Sequence, residues 1–211
     1  MSLAAIYQAV LDGDADTAAD EVQAALDAGI APEEILHNGC IAAMSEVGRL
    51  YEIGDKFVPE MLVSARAMKA AMNLLRPHLA EDDVKATGKV VIGTVAGDLH
   101  DIGKNLVGMM MEGGGFEVVD LGSDVRPEQF VDAVREHEPD LVAMSALLTT
   151  TMPSMNATVE ALSEAGLRDR VKVMIGGAPV TEAFAEKIKV DGYAADASSA
   201  ARKAQELIGG D

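Results

Sequence analysis

At 211 residues the chain is long enough for one large or two modest domains, and 49% hydrophobic content with only 3% aromatic implies a core built from Ala, Val, Leu, Ile and 12 Met. A formal charge of −18, from 35 acidic and 17 basic side chains, argues against nucleic acid and anionic membranes as partners and suits docking to basic patches on other proteins. Cys40 is the single cysteine, so an internal disulfide is excluded, and with no basic leader and no apolar run of membrane-spanning length the expected location is cytoplasmic.

Residues 1 to about 80 read as helices. Ala4, Ile6, Val10 and Leu11 recur at helical spacing until Asp12-Gly13-Asp14 breaks the pattern. Asp14 or Asp16 caps a second helix carrying Ala19, Val22, Ala25 and Leu26, which stops at Gly29. Ala31-Pro32-Glu33-Glu34 opens a third, with proline in the first turn and acids at the positive end of the macrodipole. Its apolar positions are Ile35, Leu36, Cys40, Ala43, Met44, Val47 and Leu50. After the connection 51–55, Val58-Pro59-Glu60 starts a fourth helix with Met61, Leu62, Ala65, Met68, Met72 and Leu75, which Pro77 is expected to end. Four helices with short links predict an antiparallel bundle over residues 1–84.

Glu81–Gly88 is polar and aperiodic, as a linker is, and the pattern then changes. Strand-length apolar runs stand at Val90–Val95, Phe116–Leu121, Leu141–Ala146 and Val171–Ile175, with a weaker fifth at Tyr193–Ala195 and helical stretches between them. The Met run 109–111 lies on one of those helices and is expected in the core. Alternation predicts a parallel sheet covered on both faces. Five strands give the flavodoxin-like, doubly wound order 2-1-3-4-5 over residues 89–211.

Open parallel sheets present ligand groups at the carboxyl ends of their strands. After the first strand comes Gly97-Asp98-Leu99-His100-Asp101-Ile102-Gly103, after the third Ser145 to Met152, after the fourth Gly176-Gly177-Ala178-Pro179. Asp98 can reach one imidazole nitrogen of His100 while the other points elsewhere, the usual arrangement behind a metal-ligating histidine. Hydroxyls and glycines dominate the other loops, where the basic residues needed for a phosphate-rich nucleotide are missing. Paired glycines let a large, mostly apolar ligand approach the backbone. His37, His78 and His137 lack an acid–glycine context and read as solvated or capping residues.

Asp98-x-His100-x-x-Gly103, Ser145-x-Leu147 and Gly176-Gly177 together resemble the three-part signature of cobalamin-binding domains of the base-off, histidine-on type, as in the cobalamin module of methionine synthase. The helical half resembles the cap of methyl-carrying members through Gly48, Tyr51, Gly54, Phe57-Val58-Pro59-Glu60-Met61 and Ser64–Met68. The chain is thus similar to the corrinoid proteins of methylamine, methanol and methoxy-compound methyltransferase systems. That resemblance implies a corrinoid cofactor cycling between cob(I)alamin and methylcobalamin, with His100 as lower ligand to cobalt. It further implies a relay through Asp98 and Thr151, and cofactor contacts from Gly97, Leu99, Asp101, Ile102 and Gly103. Ser145, Leu147 and Thr149 would face the displaced nucleotide tail, Gly176 and Gly177 would line its tunnel, and Ala197 would lie near its far end. Phe57, Met61 and Val63 would shield the upper face from the cap. Implied partners are a substrate-specific methyltransferase, an acceptor methyltransferase using coenzyme M or tetrahydrofolate, and a reductive activation protein. Two other classes share the signature, a cobalamin-dependent sensor and the cobalamin subunit of an adenosylcobalamin mutase. The first needs an appended module and the second normally lacks the helical half.

Overall fold

The computed structural model describes residues 3–81 and 86–209. Asp82, Asp83, Val84 and Lys85 of the linker reading lie outside them. The chain divides into two compact units: one runs to Ala86 and takes in Glu112–Gly115, the other comprises Thr87–Met111 and the chain from Phe116 on.

The first unit is helical throughout. Helix α1 (Leu3–Asp12) and α2 (Ala15–Asp27) are joined by Gly13, whose φ of 78° admits the reversal. A side chain at Gly13 would strike Val63, its Cβ falling 2.5 Å from a Val63 methyl, so the turn is pressed close against helix α5 (Val58–Glu81). Asp14 is the cap of α2, accepting from the Thr17 amide at 3.0 Å. Ala18, Val22 and Ala25 form its buried face, one position away from the expected Ala19. One carbonyl at the end of α1 is met from α5 and its approach: Leu11 O accepts from Lys56 Nζ at 2.9 Å and Ser64 Oγ at 3.1 Å, placing a cation at a helix C-terminus.

The third helix is three segments in one run, α3 (Pro32–Glu34), a π-helical stretch Ile35–Ile41, and α4 (Ala42–Glu52). The buried residues explain the π stretch. They fall in pairs at Ile35-Leu36, Gly39-Cys40, Ala43-Met44 and Val47-Gly48, a strict repeat of four. An α-helix of 3.6 residues per turn would rotate such a stripe out of the core, and the wider i→i+5 turn holds it in phase. Pro77 does not end α5, which continues to Glu81 with the proline inside it. Leu75 and Leu79, one turn apart on either side, are both buried, and their burial (about 1.5–3 kcal/mol each) offsets the hydrogen bond the ring removes.

The second unit is a five-stranded, all-parallel sheet in the order β2-β1-β3-β4-β5, built from β1 (Lys89–Thr94), β2 (Glu117–Asp120), β3 (Leu141–Ser145), β4 (Lys172–Gly176) and β5 (Gly192–Ala194). Helices α6 (Ile102–Gly113), α7 (Pro127–His137), α8 (Pro153–Glu164), α9 (Glu182–Lys187) and α10 (Ala197–Gly209) make the crossovers and the end. The central strands are buried along nearly their whole length, which is why they read as unbroken apolar runs, while edge strand β2 is half-exposed. Gly93 in β1 makes room for Phe130, whose ring edge would lie 2.9 Å from a Cβ there. Met110 and Met111 enter the core, but Met109 faces outward. Among the described residues, no helix is long and apolar enough to cross a membrane.

Candidate functional site

Strand register brings the loops together. Thr94, Ser145, Gly176 and Ala194 stand in one row across β1, β3, β4 and β5, so the segments after them leave the sheet side by side. At the centre of that edge lies Asp98, with no exposed surface. Its Oδ1 accepts from His100 Nδ1 at 2.7 Å and from the His100 amide at 3.1 Å. Its Oδ2 accepts from Thr151 Oγ1 at 2.7 Å and from the amides of Leu147 at 2.7 Å and Leu148 at 3.3 Å.

Burial is the largest influence on this carboxyl and by itself would raise its pKa. The Thr151 hydroxyl, the Leu147 amide and the two His100 donors together outweigh it and hold the group well below the usual aspartate range. Asp98 is therefore a carboxylate, an acceptor only, so His100 must present Nδ1–H to it. The lone pair is left on Nε2, on a side chain 51% exposed. Thr151 Oγ1 lies 2.7 Å from Asp98 Oδ2 and 2.8 Å from Leu148 O, two acceptors for one hydrogen. With Asp98 ionised the hydrogen points at the carboxylate. A proton arriving on Oδ2 would turn it to the carbonyl.

Other residues fix the loop that carries this pair. Buried Thr94 donates from Oγ1 to His100 O at 2.9 Å, and Ser154 Oγ to Ala96 O at 3.1 Å. The Asp98 amide donates to Val95 O at 3.1 Å, and Asp124 bonds to both Gly97 and Asp98. Sequence reasoning missed Thr94, Asp124 and Ser154. A hydroxyl ending an otherwise apolar strand was the available signal for Thr94, since a buried polar group needs a partner. For Asp124, exposed, and Ser154, half-buried, the sequence offers none, because a polar residue outside the core needs no partner to account for it. Buried Lys104 pairs with Asp120 and donates to Asn105 Oδ1 at 2.6 Å, tying the start of α6 to the end of β2.

The remaining expected residues fall in three groups. Leu99, Asp101, Ile102, Gly103, Leu147 and Thr149 are exposed around His100, Ile102 being 83% accessible. A Cβ on Gly103 would meet nothing within 4 Å. Ser145, Gly176 and Gly177 are half-buried and Ala197 is buried at the start of α10. The paired glycines have a reason of their own: a Cβ at Gly176 would lie 2.9 Å from Ala194 O, and one at Gly177 only 1.9 Å from Ala146 O. Both positions are thus closed to a side chain by neighbouring carbonyls of the chain itself. Phe57, Met61 and Val63 belong to the helical unit, where Phe57 and Val63 are exposed and Met61 is buried. His37 and His78 are exposed and His137 half-buried.

Among the described residues, no three His, Cys, Asp or Glu side chains are placed to hold a bare metal ion. A single imidazole with its far nitrogen anchored is instead the donor set for a metal whose other positions are filled by a macrocycle. The apolar rim of Leu99, Ile102, Leu147 and Leu148 and the open space at Gly103 fit such a group.

Comparison with known proteins gives the same cofactor. Residues 88–202 match a B12 binding domain and residues 2–76 match a second B12 binding domain model. The chain is 42% identical over 208 residues to trimethylamine corrinoid protein 1 of Methanosarcina acetivorans, covering 98% of this chain and 96% of that protein. It is 46% identical over 181 residues to dimethylamine corrinoid protein 3 of the same organism, covering 86% and 85%. In structure it superposes with a TM-score of 0.87 and 32% identity on a chain of the methanol:cobalamin methyltransferase complex MtaBC from Methanosarcina barkeri, covering 99% of this chain and 80% of that one.

Proposed function

The chain belongs to the corrinoid proteins with B12-binding domains, and from that membership we propose that it is a methyl carrier: it accepts a methyl group from a methyltransferase specific for a methylamine and surrenders it to a second methyltransferase. Support for methylamines over methanol comes from the relatives, 42–46% identical to those named for tri- and dimethylamine and 32% to the chain from the methanol complex. Coenzyme M or tetrahydrofolate is the acceptor, and a reductive protein restores the carrier when it is oxidised.

A bound corrinoid supplies cobalt, able to take up and release a methyl group. The chain's own part is to offer and regulate one nitrogen. His100 would hold the cobalt through Nε2, kept in the right tautomer by Asp98, whose negative charge makes the imidazole a stronger donor. Leu99, Ile102 and Leu147 would exclude water around it, and Gly97, Asp101 and Gly103 would complete the loop against the ring. Ser145 and Thr149 would hold the displaced tail, with Gly176, Gly177 and Ala197 along its path. When the imidazole takes up or gives back charge, Asp98 can hold a proton on Oδ2, donating it to Thr151 Oγ1, which in turn donates to Leu148 O.

The observation that carries this reading is the half-exposed imidazole whose other nitrogen is spoken for by a fully buried carboxylate. Reconstitution with hydroxocobalamin and reduction to the cobalt(II) state should give a resonance spectrum whose nitrogen splitting changes when the protein's histidines are labelled with nitrogen-15, a response lost in His100→Gly. Incubation with the cognate methyltransferase and a panel of donors should methylate the carrier from a methylamine. Splitting indifferent to the histidine label in the unmodified chain, or methylation from methanol alone, would overturn the respective half of the proposal.

A further inference from the structure

We propose that Asp124 is a positioning residue for the ligand loop, an acid outside the three-part signature that clamps the two peptide groups leading to His100; the inference rests on the reading of His100 as the cobalt ligand. After β2 the chain runs beside the end of β1, where Thr94 makes two backbone bonds to it: its amide donates to Gly122 O at 2.9 Å and its carbonyl accepts from the Val125 amide at 2.9 Å. Ser123 and Asp124, caught between those anchors, bulge outward. Asp124 takes φ 56°, a left-handed conformation that aspartate tolerates better than most side chains.

The bulge aims one residue at the loop in two ways. The Asp124 amide donates to Asp98 O at 3.0 Å, and Asp124 Oδ1 accepts from the Gly97 amide at 2.7 Å. Both grips fall just before His100, on the segment between the end of β1 and the start of α6, and they hold the Gly97 amide and the Asp98 carbonyl, which the other bonds to this loop leave untouched. Asp124 is itself exposed and fills no part of the core, so packing does not account for an acid there. A strained, exposed residue whose two polar groups are both spent on a neighbouring loop is arranged to hold that loop. Holding it before the cofactor arrives removes an ordering cost from binding.

The test uses the full chain and three readouts. Asp124→Asn keeps both a side-chain acceptor and tolerance of the left-handed backbone, whereas Asp124→Gly keeps only the backbone. In the apo-protein, hydrogen–deuterium exchange of the Gly97 amide should be slow in the unmodified chain and in Asp124→Asn, and at least about tenfold faster in Asp124→Gly. Hydroxocobalamin titration should show affinity weakened about two- to tenfold in Asp124→Gly and nearly restored in Asp124→Asn. The cobalt(II) spectrum of Asp124→Gly should show broadened nitrogen splitting. Equal Gly97 exchange in the unmodified and Gly chains, or unchanged affinity with an unchanged nitrogen pattern, overturns the clamp. Should the Gly variant not fold, a Gly97 amide in the unmodified protein exchanging at the rate of an unstructured glycine overturns it equally. Absence of protein nitrogen on cobalt in the unmodified chain would sink the ligand reading instead, and Gly97 exchange would still decide the clamp.

Discussion

Replacing Asp98 by asparagine changes one atom and should disable the site. The carboxylate has five donors around it, two on Oδ1 and three on Oδ2. Asparagine offers one oxygen and one NH2. Facing the NH2 toward Leu147 and Leu148 would set it against two amide hydrogens, so the oxygen stays there and the NH2 turns to His100. The imidazole can satisfy that NH2 only by moving its own proton from Nδ1 to Nε2, which removes the lone pair from the outward nitrogen. The His100 amide loses its acceptor, and three charge-assisted bonds become neutral ones. At about 1 kcal/mol for each such change, less the relief of burying no charge, the loss is about 3 kcal/mol, or roughly 12 °C in the unfolding temperature of this unit. The loss depends on pH. Asp98 titrates below its unfolded value near about 4, so the unfolded chain takes up the proton first as the solution is acidified. Its stabilisation is complete above that value and fades as pH falls toward the folded one. The gap between the two chains should therefore be widest at neutral pH and narrow from about pH 5 to pH 3. Nitrogen NMR of labelled histidine reports the tautomer, and thermal unfolding across pH reports the stability. An Asn variant with Nδ1–H retained, or a gap constant over that range, would refute the reasoning.

Two glycines should behave oppositely. Gly177→Ala drives a methyl into Ala146 O at a φ of 123°, and should cost about 3 kcal/mol or more in chemical unfolding of the apo-protein. Gly103→Ala meets open space in the first turn of α6, so its stability should hold or rise by up to about 1 kcal/mol while corrinoid affinity in an absorbance titration falls at least about tenfold. The Lys104–Asp120 pair should be asymmetric: Lys104→Met removes a buried charge whose partner is half-exposed and is expected to cost less than about 1 kcal/mol, whereas Asp120→Asn strands the buried ammonium and should cost about 2–3 kcal/mol by urea unfolding. A larger loss for the methionine variant would show that the pair stabilises through Asp120 instead.

Periodicity made the helices and strands legible, because the central strands are apolar on both faces and the helices on one. It failed where packing overruled local preference. Pro77 is a sound stop signal on its own, but Leu75 and Leu79 need the same helix on both sides of it. In the site, Asp98 and His100 are two residues apart, so their contact could be anticipated from spacing alone. Thr151 lies 53 positions beyond Asp98, and only the resemblance pointed to it. Asp124 and Ser154 act on backbone atoms, which carry no residue identity for a sequence to display, whereas Thr94 was open to notice as a polar end to an apolar strand. Gly176 and Gly177 were legible as necessary, but a glycine demanded by a neighbouring carbonyl and one demanded by a ligand are written with the same letter, so the part played by the Ala194 and Ala146 carbonyls could not be read from them.

The π-helical stretch Ile35–Ile41 marks where this chain can vary in length. Its wider i→i+5 turn takes up about one residue more than an α-helix needs between the same two ends, so dropping one residue there would let the run close as uninterrupted α-helix while Met44 and Val47 keep nearly the same direction. Dropping one at the start of α4 instead would swing every position after the cut by about 100°, taking Met44 and Val47 toward water and bringing charged neighbours such as Glu46 inward. The helical half thus tolerates a one-residue deletion within this stretch far better than one just beyond it.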